Sequence, residues 1–436
     1  MMKKNQKKRT SKQVKIRRFC FIFFVILLLL SNLILIIILT NYNLIVVYHD
    51  VDRRDNGNTF ICISTLGEVF NHQNRIDNQI PVEKNSPHHK IVEVNKQGKV
   101  VWDFFGLAFS HELLQLDNNH ILVADTAYDR IIEINYPNKD IIWSWEPAKI
   151  DWSKVNPKWD NDHYYNNPLE YEWTHLNDVE YKNYGTWEAC LISIRNFDLI
   201  VEINYTAEKI GPSNDPDNIV WYFGDFEDYS LLRQQHNPDY LENGNIIVSD
   251  SENDRIIEID YNTKKIIWKF DTGLSWPRDA DELPNGNIMI TDTFHNRIIE
   301  ISKEDKEIIW SYKGDLFVPY EADRLDNGNT IISNGYGGVC FEINEKGQII
   351  WRYGISFEKS IIYMNLIIIS AILSCAIIFQ YKKMKKSELN HKGKKKIKIH
   401  ISILSVFIII AILGFFIYND LSAIIVHIVR IIQFQR

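Results

Sequence analysis

Six side chains in this 436-residue chain stand in equivalent places and could act together: His49, His111, His175, His236, Arg278 and Tyr320. Each lies five residues before the first position of a recurring Leu-x-Asn-Gly-Asn motif, clear in YLENGN, ELPNGN and RLDNGN. The third copy needs looser matching, because Tyr181 and Lys182 replace the usual turn. A single histidine of this kind reads most simply as a polar cap at a strand start. Four imidazoles in register with an arginine, and no acid at that position, read as an anion site.

Two irregularities in the third copy point the same way. Asn177 follows His175 by two residues and adds a neutral donor. Arg130, Arg255 and Arg297 recur before an Ile-Ile-Glu-Ile strand, as structural bridges to neighbouring acids, but the third copy has Leu199 there and carries Arg195 four residues earlier, at the end of ACLISI. An arginine moved to a strand end, where its structural counterpart is lost, reads as a functional demand.

The elements that must position these residues repeat. Between residues 48 and 353 a unit recurs: polar entry, Leu-x-Asn-Gly-Asn, a β-branched run, a turn, an Ile-Glu-Ile-like strand and an Ile-Trp strand. The closing tryptophans are Trp102, Trp143, Trp221, Trp268, Trp310 and Trp351, which gives six units. Asn-Gly between alternating apolar residues predicts a two-residue hairpin, since both central residues of a type I′ turn need positive φ. About four short strands per unit of about 42 residues, without helical periodicity, predict an all-β six-bladed β-propeller. The innermost strand of each blade borders the channel, so the six equivalent residues become a ring.

Residues 20–39 carry no charge and are long enough to span a bilayer as a helix. Residues 1–19 form a basic tail without acids, which places the N-terminus in the cytoplasm. A cleaved signal peptide fits less well, because the apolar run is long and lacks a small-residue cleavage site. Two further apolar runs, 361–380 and 401–418, flank a basic loop at 381–400 with nine lysines and one acid. Together they predict a multi-pass membrane protein with one N-terminal and two C-terminal transmembrane helices and the propeller outside. An amphipathic tail at 421–436 would lie along the outer interface.

Charge follows the same division. Residues 20–380 hold 54 of the 56 acids and only 29 of the 49 basic residues, so the propeller is strongly acidic and no partner for nucleic acid. The basic ends read as topology signals beside the lipid bilayer. Cys62, Cys190 and Cys340 are scattered singly; one disulfide is possible and none is implied. The loop 151–173 brings Trp152, Trp159, Tyr164 and Tyr165, which could stack on an aryl ring at the channel mouth or pack on each other. His88 and His89 read as solvated, and GYGG at Gly335 to Gly338 as a glycine-rich turn rather than a phosphate cradle.

Several of these stretches resemble the PAPS-independent arylsulfotransferases, six-bladed propeller enzymes that move a sulfuryl group from one phenol to another. SHELLQLDNNHILV with His111, THLND with His175 and Asn177, SIRNF with Arg195 and QQHNPDYLENGN with His236 are similar to that family's motifs, in the family's order. The resemblance covers about residues 100–350. It implies an aryl sulfate donor, a phenolic acceptor, no cofactor and no metal. His236 is then the nucleophile, sulfurylated during turnover, with His175 as acid and base and Arg195 as the charged donor. His111 and Asn177 bind substrate, with His49 and Arg278 beside them. His49 and the three spans depart from the family pattern. Two other readings stay open: a metal-dependent propeller lyase or hydrolase, since converging imidazoles suit a metal ion, and a tethered, non-catalytic binding propeller.

Overall fold

The structure, a computed structural model, describes residues 46–65, 89–165, 173–226 and 228–354. The expected spans 20–39, 361–380 and 401–418, the loop 381–400, the flanking tails 1–19 and 421–436, and His88 lie outside these residues. Among the described residues no helix is long and apolar enough to cross a membrane.

Six antiparallel sheets of four strands each follow one another along the chain, as a six-bladed propeller requires. The innermost strands are Val46–Arg53, Glu112–Gln115, Leu176–Asn183, His236–Tyr240, Pro277–Glu282 and Glu321–Arg324. Every sheet uses four consecutive strands, so no strand passes from the last blade into the first. Second and third strands such as Ile246–Asp250 and Arg255–Asp260 are covered on both faces, which explains their continuous apolar runs in place of alternation. The core lies between neighbouring blades: Ile247 and Phe270 of the fourth blade share a cluster with Ala280, Ile288 and Ile290 of the fifth.

The Leu-x-Asn-Gly-Asn motif makes a different turn from the one its sequence predicts. Only the glycine is left-handed, with φ of 81° at Gly57, 84° at Gly244, 79° at Gly286 and 82° at Gly328. The preceding asparagine instead uses its side chain, whose Oδ1 accepts the N–H two residues on, as in Asn243 with Asn245 at 2.9 Å. The connection is therefore a type I turn closed by a left-handed glycine, with Gly244 N–H donating to the Leu241 carbonyl at 3.0 Å. The last asparagine of the motif reaches outward. Asn58, Asn245, Asn287 and Asn329 donate to Glu93, Glu258, Glu300 and Glu342, the glutamates of the Ile-Glu-Ile strands.

The closing tryptophans join blades. The indole N–H of Trp102 donates to the Pro137 carbonyl at 3.2 Å, that of Trp221 to Tyr261 at 2.8 Å and that of Trp268 to Lys303 at 3.0 Å, each in the next blade. The bridges expected of Arg130, Arg255 and Arg297 are present, to Asp125 at 2.7 Å, Asp250 at 2.6 Å and Asp292 at 2.6 Å. In the third blade both partners are exchanged together, Leu199 for the arginine and buried Ile194 for the aspartate. Cys62, Cys190 and Cys340 are buried free thiols.

Candidate functional site

Loops that enter the innermost strands are held by the blade before. The Thr174 N–H donates to Asp129, Gln234 to Asp198, Trp276 to Asp254 and Val318 to Asn296, at 2.6 to 2.9 Å. The entering chain then passes through one left-handed residue: Phe109, His175, Gln234, Trp276 and Val318 have φ between 44° and 60°. For bulky or β-branched side chains that conformation costs about 1–3 kcal/mol each, and it persists because the carboxylate or amide grip over-determines it.

Those left-handed residues fix the register, and they correct the sequence alignment in the third blade. His111, His236, Arg278 and Tyr320 each stand two residues after the left-handed one. In the third blade His175 is itself the left-handed residue, so the equivalent of His111 is Asn177. The ring is thus His49, His111, Asn177, His236, Arg278 and Tyr320, and all six line one cavity. The cavity leaves about 20 Å³ open to the centre of a water molecule. The longer third hairpin at Tyr181 and Lys182 moved the apparent alignment by two residues.

Within the ring the contacts are close. The His49 and His111 rings stack at 4.4 Å, and His49 lies 5.1 Å from the Tyr320 ring. The Arg278 guanidinium sits 3.7 Å over Tyr320. Among the described residues no carboxylate is within salt-bridge distance of it. His175 stands behind, its ring edge-on to His111 at 4.9 Å. Arg195, in the turn Arg195–Phe197, donates to Asn196 Oδ1 at 3.1 and 3.2 Å and is near enough for its charge to act on His236. Asn177 gives one amide hydrogen to the Gln235 carbonyl at 2.9 Å, which fixes the side chain.

Hydrogen bonds assign opposite tautomers to two of the imidazoles. Nδ1 of His236 is 2.8 Å from Ser251 Oγ, and that hydroxyl donates its one hydrogen to the Pro277 carbonyl at 2.7 Å. Ser251 must therefore accept, so Nδ1 carries the proton and Nε2 keeps its lone pair. That Nε2 is buried without a hydrogen-bond partner. His111 is the reverse, because its Nδ1 faces an arginine N–H of Arg278 at 3.4 Å and can only accept. Its Nε2 then carries a hydrogen, also unpartnered. Burial, then the nearby Arg278 charge, holds His236 well below the ordinary histidine range; burial and the charges of Arg278 and neighbouring histidines do the same to His49 and His111. All three are neutral near pH 7.

Directly below the ring lies a feature the sequence reading passed over. The residue after each ring position is Asp50, Glu112, Asp178, Asn237, Asp279 and Glu321, and two further on come Asp52, Glu180, Asp239, Asp281 and Asp323, with Leu114 in the second blade. Glu112, Asn237, Asp279 and Glu321 line the same cavity. Burial, followed for most by mutual repulsion, raises these carboxyls: Asp239 and Asp279 to about 6, Asp52 to about 7, the others well above their ordinary range. Among the described residues none of these ten acids makes a salt bridge. The signal was present in HDVD, HELL, RDAD and YEAD, where an acid follows the ring residue directly.

Of the two readings of the 151–173 loop, mutual packing holds for three of its aromatics, and one other expectation is corrected. Trp152, Trp159 and Tyr164 are buried against Phe197 and each other, with the Trp159 indole and the Tyr164 hydroxyl both donating to Asp225, so these three form core, while Tyr165 is exposed. His89 is 2% exposed and lies beside Phe109, not in solvent. Gly335 to Gly338 form a tight turn with Gly338 left-handed, as expected.

The family model for arylsulfotransferase (ASST) matches residues 104–236. That segment contains His111, His175, Asn177, Arg195 and His236. The match and the six-bladed fold agree with the resemblance drawn from the motifs, and they support aryl sulfotransferase activity in general. Comparison with curated proteins finds no match. Similar solved structures are matched at low identity. A protein of unknown function from Bacteroides caccae is 15% identical, with 62% of this chain and 92% of that one covered and a TM-score of 0.42. Virginiamycin B lyase from Staphylococcus aureus is 13% identical, with 71% and 84% covered and a TM-score of 0.44.

Proposed function

We propose that this protein is a membrane-anchored sulfotransferase that passes a sulfuryl group from an aryl sulfate to a phenol by way of a sulfurylated His236. The observation that carries this reading is the bare Nε2 lone pair of a neutral, buried His236, oriented by Ser251 at the cavity. A nucleophilic nitrogen needs its lone pair free at the operating pH, and both the tautomer and the lowered proton affinity supply that.

In the first half-reaction Nε2 attacks sulfur, the N–S bond forms and the S–O bond to the leaving phenol breaks. Arg278 and the Nε2–H of His111 hold the sulfuryl oxygens, where preorganised donors act most strongly on developing charge. Arg195 adds its charge from the third blade. The leaving phenolate takes a proton from the His175 imidazole, which stands ring against ring with His111. In the second half-reaction the acceptor phenol gives its proton back, its oxygen attacks sulfur, and the S–N bond breaks. The cavity has room for about one or two waters, so it suits the charged head and leaves the aryl ring at the channel mouth.

The membrane anchors belong to the same proposal and rest on the apolar runs 20–39, 361–380 and 401–418 with their basic flanks. Incubation of purified protein with an aryl sulfate, followed by intact mass, tests the chemistry. A gain of one sulfuryl group, lost on adding a phenol and absent in His236→Ala, is expected. Retained transfer in His236→Ala, abolished by a chelator in the parent protein, would sink the reading in favour of metal chemistry.

A further inference from the structure

We propose that the channel floor binds one hard divalent cation, of the calcium class, through Asp50, Asp52 and Glu321, and that this ion ties the first blade to the last. The three side chains each offer an oxygen, all within 4.8 Å of one another. Two of them come from the innermost strand Val46–Arg53 and the third from Glu321–Arg324, the two ends of the ring.

The site is built rather than merely acidic. Asp50 is 1% exposed, and its Oδ1 is buried with no hydrogen-bond partner. Its other oxygen accepts from the Cys62 thiol at 3.8 Å, while Glu321 Oε2 accepts from the Val51 N–H at 3.3 Å. Asp50 and Glu321 are thus each held through one oxygen and hydrogen-bond to each other, so a cation between them would replace a shared proton. An unpaired carboxylate oxygen in a buried place is costly unless a charge meets it. The nearest arginine of the ring, Arg278, sits over Tyr320 and forms no salt bridge to any of the three. An all-oxygen set selects a hard cation, and calcium tolerates such irregular carboxylate geometry better than magnesium does.

The seam gives the ion a task. Because every blade is made of four consecutive strands, closure between the sixth and first blades has no shared strand. It rests on an apolar cluster that joins Tyr48, Val51 and Ile61 to Ile331 and Cys340, with the Val51 to Glu321 bond, the Ser333 hydroxyl donating to the Tyr48 carbonyl at 3.0 Å and the Arg53–Glu342 bridge at 2.7 Å added to it. An ion bound across that seam would stabilise the closed ring by mass action.

Equilibrium dialysis of the full-length, detergent-solubilised protein against radioactive calcium, after chelator treatment, is the direct test. One ion per chain is expected, with affinity weakened at least tenfold by Asp52→Asn and by Glu321→Gln, unchanged by Asp281→Asn and unchanged by His236→Ala. Melting of the parent protein should shift upward with added calcium and less with magnesium. Absence of binding by the parent protein overturns the proposal without reference to any variant. Binding that survives the Asp52→Asn, Glu321→Gln double substitution overturns the assignment of ligands. His236→Ala separates the two proposals, since it removes sulfuryl transfer and leaves this site intact.

Discussion

Substituting Ser251 by alanine isolates the tautomer argument from the nucleophile itself. The hydroxyl accepts the Nδ1–H of His236 at 2.8 Å and donates to the Pro277 carbonyl at 2.7 Å, and Ser251 is fully buried. In the resting enzyme this is a bond to a neutral ring, worth about 0.5–1.5 kcal/mol. As Nε2 bonds to sulfur the ring becomes electron-poor and the same bond becomes charge-assisted, about 1.5–3 kcal/mol. The difference, about 1–1.5 kcal/mol, acts only in the transition state and corresponds to roughly 5–12-fold in rate. Losing the fixed tautomer adds a factor of about two if both then become equally populated. Formation of the sulfurylated protein, followed by quenched-flow mass spectrometry, should therefore slow by about 10–25-fold in Ser251→Ala. A structural role alone would lower the melting temperature and leave the rate of the folded fraction unchanged. That outcome, an unstable variant with the parent rate constant, would refute the reasoning.

Arg195→Ala should still form the intermediate, slowed by about 10²–10³ if it acts as a single lost oxyanion-type donor; a complete loss of the mass gain would show that it does more. For pH, the sign follows from His236 lying well below the ordinary histidine range: intermediate formation should be flat from pH 8 down through 6.5 and fall only at lower pH, as the ring protonates, and a midpoint at or above 6.5 in the pH–rate profile would contradict it. Asp254→Ala removes the grip on the Trp276 N–H at 2.6 Å and so loosens the left-handed entry to Arg278; the expected result is weaker donor binding, read as raised KM, with a stability loss of about 1–3 kcal/mol. Reporters fused after Arg18 and within 382–398 should read as cytoplasmic, and one between blades as outside, the reverse being fatal to the anchored topology.

Most of the ring was legible because the propeller repeats, and a repeat converts a weak local signal into a geometric one. Trp102, Trp221 and Trp268 looked like generic strand closers and turn out to donate across blades to the neighbouring turn; either role keeps the period, so the count of six came out right. The third blade departs from the repeat. Its hairpin is longer, and counting back from Tyr181 and Lys182 set His175 in the ring, when the left-handed residue at φ of 44° is His175 and the ring position is Asn177. Backbone conformation, not residue type, fixes that register, and nothing in THLND announces it.

The acidic floor failed to register for a different reason. A half-buried strand is expected to alternate apolar and polar residues, so the acids of HDVD or RDAD pass for an ordinary solvated face when each strand is read alone. Only closure of six such strands around one axis turns that face inward, and then ten carboxyls stand below four neutral nitrogen or amide groups and one arginine. The two layers differ in what they ask of their surroundings. Nitrogen in the upper layer stays neutral through burial beside Arg278, and so can hold a lone pair or an N–H toward a bound anion. Carboxyls in the lower layer resist ionisation until a cation joins them, so bound calcium displaces protons and changes the net charge under the anion site little. Donor affinity in the parent protein should therefore be nearly independent of calcium, and sulfuryl transfer from His236 should continue in Glu321→Gln; a donor affinity that rose steeply with calcium would show that the floor is ionised without the ion.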